Sequence, residues 1–195
     1  MKIFPGLLWL LLAGVAQADV ILGAQVGTQS LAIRQTDGLG NTYEDTADSR
    51  ASLGLVLGVG QPGGNSRISV GMSRFAIGSD ADLALLNAGY TWLMPSLTPP
   101  SFLPLRPFVG AELGYGWLVA DQQSLFNSGD DSGLIYGARA GLGLAITDRA
   151  EIEAGVRYGV VNLDAALPGK LPGVQPAHFE VESSRGWWIG FNVGL

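Results

Sequence analysis

Four charged residues stand among glycines on runs of alternating polarity. Glu112 lies between Gly110 and Gly114, Arg139 between Gly137 and Gly141, and Glu153 and Arg157 flank Gly155. Successive side chains of a strand point to opposite faces, so each charge shares its face with glycines, opposite an apolar face. Two acids and two bases balance. A buried charge without a partner is costly, so the four are expected to pair as an Arg–Glu network. Other chemistry has little to draw on. The single histidine, His178, excludes a multi-histidine metal site, and the absence of cysteine excludes thiol chemistry and disulfides. His178, Ser183 and Glu180 are the nearest thing to a hydrolase set, and a loop histidine is the simpler reading. Gly58-Val59-Gly60-Gln61-Pro62-Gly63 has the glycine spacing of a dinucleotide loop, but Pro62 and Gly64 mark a hairpin turn and no helix pattern follows. No catalytic residue, metal or cofactor is assigned.

The elements that carry these charges are strands. From Leu134 to Leu163 two long runs meet at Asp148-Arg149. Leu134, Tyr136, Ala138, Ala140, Leu142, Leu144 and Ile146 alternate with glycine and Arg139. Ile152, Ala154, Val156, Tyr158 and Val160 alternate with Glu151, Glu153, Gly155, Arg157 and Gly159. Both runs are longer than an average soluble strand. Eight strands are predicted: Val20 to Ile33, Ala51 to Gly60, Ser66 to Ile77, Leu83 to Met94, Arg106 to Ala120, Leu134 to Thr147, Ala150 to Leu163 and Arg185 to Leu195. An all-β, eight-stranded antiparallel up-and-down transmembrane barrel follows, with lipid outside and glycine and charge inside. A soluble β-sandwich is the alternative fold. The first strand is the weakest case, because Thr28, Ser30 and Ala32 interrupt its outward face. In so narrow a barrel side chains fill the interior. Glu112, Arg139, Glu153 and Arg157 are therefore expected to plug the lumen and fix the register, with a gate as the functional alternative. Trp92, Trp117, Tyr136, Tyr158 and Trp187 are predicted to face outward near strand ends, as an aromatic girdle does.

The ends and the composition agree with export. Lys2, the apolar stretch Phe4 to Val15 and Ala16-Gln17-Ala18 form a secretory signal, so residues 1–18 are expected to be removed and 19–195 to form one barrel domain. No other stretch is long and apolar enough for a helical span. Hydrophobic residues make up 47% of the chain and charged residues 14%, so the apolar content must sit in strands. A net charge of −6 argues against nucleic acid as a partner. Tight turns are expected at Gln61 to Asn65 and Asp148-Arg149. Long polar loops are expected at Arg34 to Arg50, Asp121 to Gly133 and Asp164 to Ser184. The outer loops hold Asp37, Glu44, Asp45, Asp48, Asp80, Asp82, Asp121, Asp130 and Asp131, without calcium-loop spacing. They read as solvated tips, with divalent-cation bridging to lipopolysaccharide phosphates as a second reading. Pro95 to Pro107 breaks the pattern. It is long, holds five prolines and falls by parity among the short turns. A stiff spacer or a docking site for a periplasmic partner are its two readings.

Arg106-Pro107-Phe108-Val109-Gly110-Ala111-Glu112-Leu113-Gly114-Tyr115-Gly116 and the stretch Gly137 to Tyr158, with its turn Thr147-Asp148-Arg149, resemble the small outer-membrane β-barrel superfamily of the OmpA, OmpX and opacity-protein type. The resemblance implies residence in the bacterial outer membrane, with both termini in the periplasm. It also implies partners: outer-membrane lipids and lipopolysaccharide, and barrel-assembly machinery and periplasmic chaperones during insertion. Gly190, Val193 and Leu195 match the insertion signal of such a last strand, although Trp188 stands at a customary polar position and Leu195 replaces a terminal Phe. Lipid A deacylases are similar in size and fold, but their His-x-Ser signature is absent, since Phe179-Glu180 follows His178. The expected function is a structural or surface-interaction role in a monomeric barrel. A narrow channel for small or hydrophobic solutes comes second and a lipid-modifying enzyme third.

Overall fold

The computed structural model describes residues 19–60, 65–77, 81–99, 101–120, 126–171 and 175–195. The export signal assigned to residues 1–18 lies outside them. Eight strands run in chain order: β1 (Asp19–Thr36), β2 (Thr42–Gly60), β3 (Ser66–Ile77), β4 (Ala81–Leu93), β5 (Leu105–Ala120), β6 (Gly129–Ala145), β7 (Ala150–Leu167) and β8 (Ala177–Gly194). Each pairs antiparallel with its sequence neighbour. β1 pairs with β8, with Leu22 opposite Val193 and Val26 opposite Ile189, and the sheet closes into a barrel. Closure leaves no strand edge, which is what a bilayer interior demands of backbone polar groups.

The outside of the barrel is apolar. Val26, Leu55, Met72, Leu86, Leu113, Tyr136, Val156 and Ile189, one from each strand, are all exposed. A continuous apolar belt of this kind has no place in water, and lipid is its solvent. Glycines cluster on the opposite, inward face beside Arg67, Glu112, Arg139 and Glu153. No helix among the described residues is long and apolar enough to cross a membrane.

Two of the expected long loops are largely strand, and a third is strand in part. β1 and β2 stay paired up to Thr36 opposite Thr42, and β7 and β8 up to Leu167 opposite Ala177. β6 begins at Gly129, where the sequence reading has loop. These extensions rise past the belt into water. Their outward faces then carry polar groups such as Arg34, Glu44, Asp164 and Glu180, while Ile33, Leu163, Phe179 and Val181 are buried inward, so the alternation is reversed relative to the belt although the ladder continues. Register shifts occur between Val160 and Leu163 on β7 and between Ala32 and Ile33 on β1, both facing a bulge at Glu182. Asn162 takes φ 46° there, a left-handed conformation that asparagine tolerates better than most residues. At the other end, the β4–β5 connection is the longest between strands and is built by hydrogen bonds of its own, including Leu97 N–H to the Leu105 carbonyl at 2.8 Å.

Candidate functional site in the barrel lumen

The four charges expected to form one network divide between two levels, and a fifth residue joins them. Nearest the termini, Arg67 on β3 reaches across to β7. It lies 3.3 Å from Glu151 and forms an ion pair with Glu153. The Arg67 and Glu153 side chains are only 7% and 5% exposed. Glu153 therefore belongs to Arg67 rather than to Arg139 or Arg157. Arg67 is absent from the sequence reading, but it shares its phase with Ser69, Gly71 and Ser73, opposite Ile68, Val70 and Met72. That inward phase is the signal that marks it as a lumen residue.

Toward the middle, Arg139 on β6 lies 3.5 Å from Glu112 on β5. It also donates to Ser69 Oγ at 3.2 Å and to Thr91 Oγ1. Asn87 donates to the other Glu112 oxygen at 3.4 Å. Space for the guanidinium comes from glycine: a Cβ on Gly110 would sit 2.7 Å from the Tyr90 carbonyl oxygen and 3.1 Å from Arg139 Nε. Arg157 has neutral hydrogen-bonding partners and stays within electrostatic reach of Glu112. It donates to Gln25 Oε1 at 2.8 Å, and its guanidinium carbon lies 5.9 Å from the centre of the Trp188 ring, a cation–π distance. Trp188 is buried in the lumen, packed with Leu93 and with Phe108, whose ring centre is 5.9 Å away. The departure at position 188 from the usual last-strand pattern is thus a lumen-filling side chain.

The half of the lumen nearest the outer loops is apolar. Leu31, Leu83, Leu85, Leu118, Ile135, Val161, Leu163, Phe179 and Val181, from six strands, pack into one buried cluster. A glycine-and-charge interior does not anticipate this. Two voids of about 20 and 30 Å³ remain near Arg157, Asn87 and Glu112, each with room for about one water molecule. Below the Arg67 pair the barrel opens toward the termini as a vestibule of about 530 Å³, with Leu93, Arg106, Arg149 and Glu151 in its wall.

The remaining assigned residues fall as follows. Trp92, Trp117, Tyr136, Tyr158 and Trp187 are all exposed on the outward face. Trp92 lies toward the termini end of β4, and the other four lie nearer the loop ends of their strands or at mid-strand. Gly190 is inward beneath Trp188, Val193 pairs with Leu22, and the Leu195 amide donates to the Val20 carbonyl at 2.8 Å. The suggested hydrolase set does not assemble. His178 Nδ1 lies 3.0 and 3.1 Å from the two Asp164 oxygens, and Glu180 is engaged by Arg34 at 3.3 Å. Arg34 also meets Glu44 at 3.2 Å and Glu182 at 2.7 Å, joining β2, β1 and β8 above the belt. In the β1–β2 turn Asp37 accepts the amides of Leu39 and Asn41, both at 2.9 Å, while Gly40 takes φ 83°. These bonds hold the Asp37 carboxyl below its ordinary pKa, with the Asn41 side chain as the largest cause.

A closed eight-stranded barrel with a lipid-facing belt and a filled lumen defines a small β-barrel of the bacterial outer-membrane type. Solved structures with this fold include Neisserial surface protein A, at TM-score 0.56 and 16% identity, covering 90% of this chain and 97% of that one. Another is the outer membrane protein OprG from Pseudomonas aeruginosa, at TM-score 0.55 and 16% identity, covering 91% and 96%. No protein-family model matches the sequence, and no curated protein matches it.

Proposed function

We propose that this chain is a closed outer-membrane barrel with a structural or surface-interaction role in the envelope, working through its exterior and outer hairpins. The filling of the lumen carries this reading. The Arg67 ion pair, the Phe108–Trp188 cluster and a buried apolar level fill the lumen between the vestibule and the outer loops. A permeating ion would lose its hydration with nothing in the apolar level to replace it. The outer extensions supply the surface: β1–β2 and β7–β8 stand beyond the belt as paired hairpins cross-linked by Arg34. Rigid hairpins of this kind present side chains at low entropic cost to whatever they meet. Barrel-assembly machinery and periplasmic chaperones are the proposed partners in insertion, with outer-membrane lipids and lipopolysaccharide as the resident surroundings.

Purified protein refolded into planar bilayers tests this directly. The expected result is a heat-modifiable, folded species without stepwise conductance. Reproducible single-channel steps from the folded species would overturn the reading in favour of a narrow channel. Sensitivity of cells lacking the protein to detergent and chelator is the matching test of an envelope role.

A further inference from the structure

The connection between β4 and β5 has the wrong surface for an aqueous turn. From Met94 to Leu105 it contains no charged residue. Leu97 and Phe102 are each 66% exposed, while Leu103, 51% exposed, turns to the vestibule wall. The other described turn at this end, Ile146 to Arg149, carries Asp148 and Arg149. Nor is the segment loose. Met94 N–H donates to the Pro107 carbonyl at 2.8 Å, and Phe102 N–H closes a turn on the Pro99 carbonyl at 3.0 Å. Thr98 Oγ1 donates to the Leu103 carbonyl at 2.8 Å and accepts from the Leu105 amide at 3.2 Å. The Ala145 amide ties Pro104 to β6 at 3.0 Å. Leu97 and Phe102 are thus held out on a preformed hairpin, with prolines lowering the entropy that ordering costs.

We propose that this hairpin is an interfacial anchor, seated in the headgroup region of the periplasmic leaflet. Its apolar surface continues the belt: Trp92 on β4, Val109 on β5 and Ile146 beyond β6 are exposed directly beside its roots. The headgroup layer is roughly 5–7 Å thick on each side of the hydrocarbon core, so a hairpin rooted at the edge of the belt runs through it, where interfacial apolar groups sit. A segment without charge loses no ionic hydration on entering that layer, and its backbone already has partners within the hairpin.

The absence of native cysteine makes the test direct. Phe102→Cys, labelled with an environment-sensitive fluorophore, is refolded into phosphatidylethanolamine/phosphatidylglycerol vesicles, with heat-modifiable migration confirming the barrel. Leu39→Cys, in the turn at the opposite end and 88% exposed, is the aqueous control. The expected result is blue-shifted emission from position 102, loss of quenching by iodide relative to position 39, and quenching by a headgroup-placed nitroxide lipid. Leu97→Cys repeats the measurement should Phe102→Cys fail to fold. Emission and iodide access equal to the control would overturn the anchor and leave the hairpin as a surface for a soluble periplasmic protein.

Discussion

Trp187 and Trp188 are sequence neighbours that occupy different solvents. Trp187 is 51% exposed on the lipid face, and Trp188 is 2% exposed inside the lumen, against Phe108 and near Arg157. The two-residue period of the strand makes this separation unavoidable once β8 has its register. Replacing each by phenylalanine should therefore have opposite effects. Trp187→Phe should remove its share of the tryptophan quenching by brominated lipid, Trp92 and Trp117 keeping theirs, while leaving stability nearly unchanged. Trp188→Phe should leave that quenching in place and lower the denaturant midpoint. Equal quenching losses from the two variants would refute the register.

Arg67 neutralises two glutamates on β7, so its loss strands more charge than the loss of either partner. Arg67→Ala is expected to destabilise the barrel by about 3 kcal/mol or more, the usual cost of breaking a buried pair from one side. Glu153→Gln should cost less. A double-mutant cycle between them should give a coupling of roughly 1–3 kcal/mol, as for residues in one ion-pair network. A coupling near zero would show that Arg67 is satisfied elsewhere.

Arg139 offers a test that separates stability from permeation. Arg139→Ala leaves Glu112 without its guanidinium partner and should cost about 3 kcal/mol in urea unfolding. It should open no conductance, because Leu83, Leu118, Val161 and Leu163 still close the lumen above it. If the single substitution produces channel steps, the polar level is a gate and the apolar cluster is no barrier.

The turn at Asp37 should respond to acid. Its carboxyl is held below the ordinary value of 3.8 by hydrogen bonds to the ionised form. The turn therefore gains stability fully above that value and loses it as pH falls through the lower folded value. Line widths and exchange of the Leu39 and Asn41 amides by NMR should be flat from pH 7 to pH 5 and loosen below about pH 4. Asp37→Ala should show the loosened turn at every pH.

The barrel was legible wherever one face met lipid. In Leu134 to Leu163 the alternation, the glycine face and the tight turn identified strands, faces and neighbours. Legibility failed outside the belt, where Arg34, Glu44 and Asp164 put charge on the outward face while Leu31, Leu163 and Val181 turn inward, the reverse of the lipid-facing pattern lower in the barrel. Inside the lumen, phase revealed which side chains point inward but not which ones meet. Arg139 finds Glu112 on the adjacent strand, whereas Glu153 meets an arginine from across the barrel, a relation set by strand tilt and stagger. The inward Leu83, Leu85 and Leu163 were hidden for a related reason: near the loop ends apolar residues occupy both phases, and periodicity cannot separate them.

The pairing of β1 with β8 joins residues at opposite ends of the barrel's sequence, such as Leu22 and Val193. Contacts of such sequence separation form slowly, because most of the chain must be organised before they bring any gain. Until they form, the first and last strands are open edges that other chains can capture. The closing ladder is therefore also a clock. It makes completion of the final strand the event that separates an aggregation-prone intermediate from a barrel with no edge left to offer.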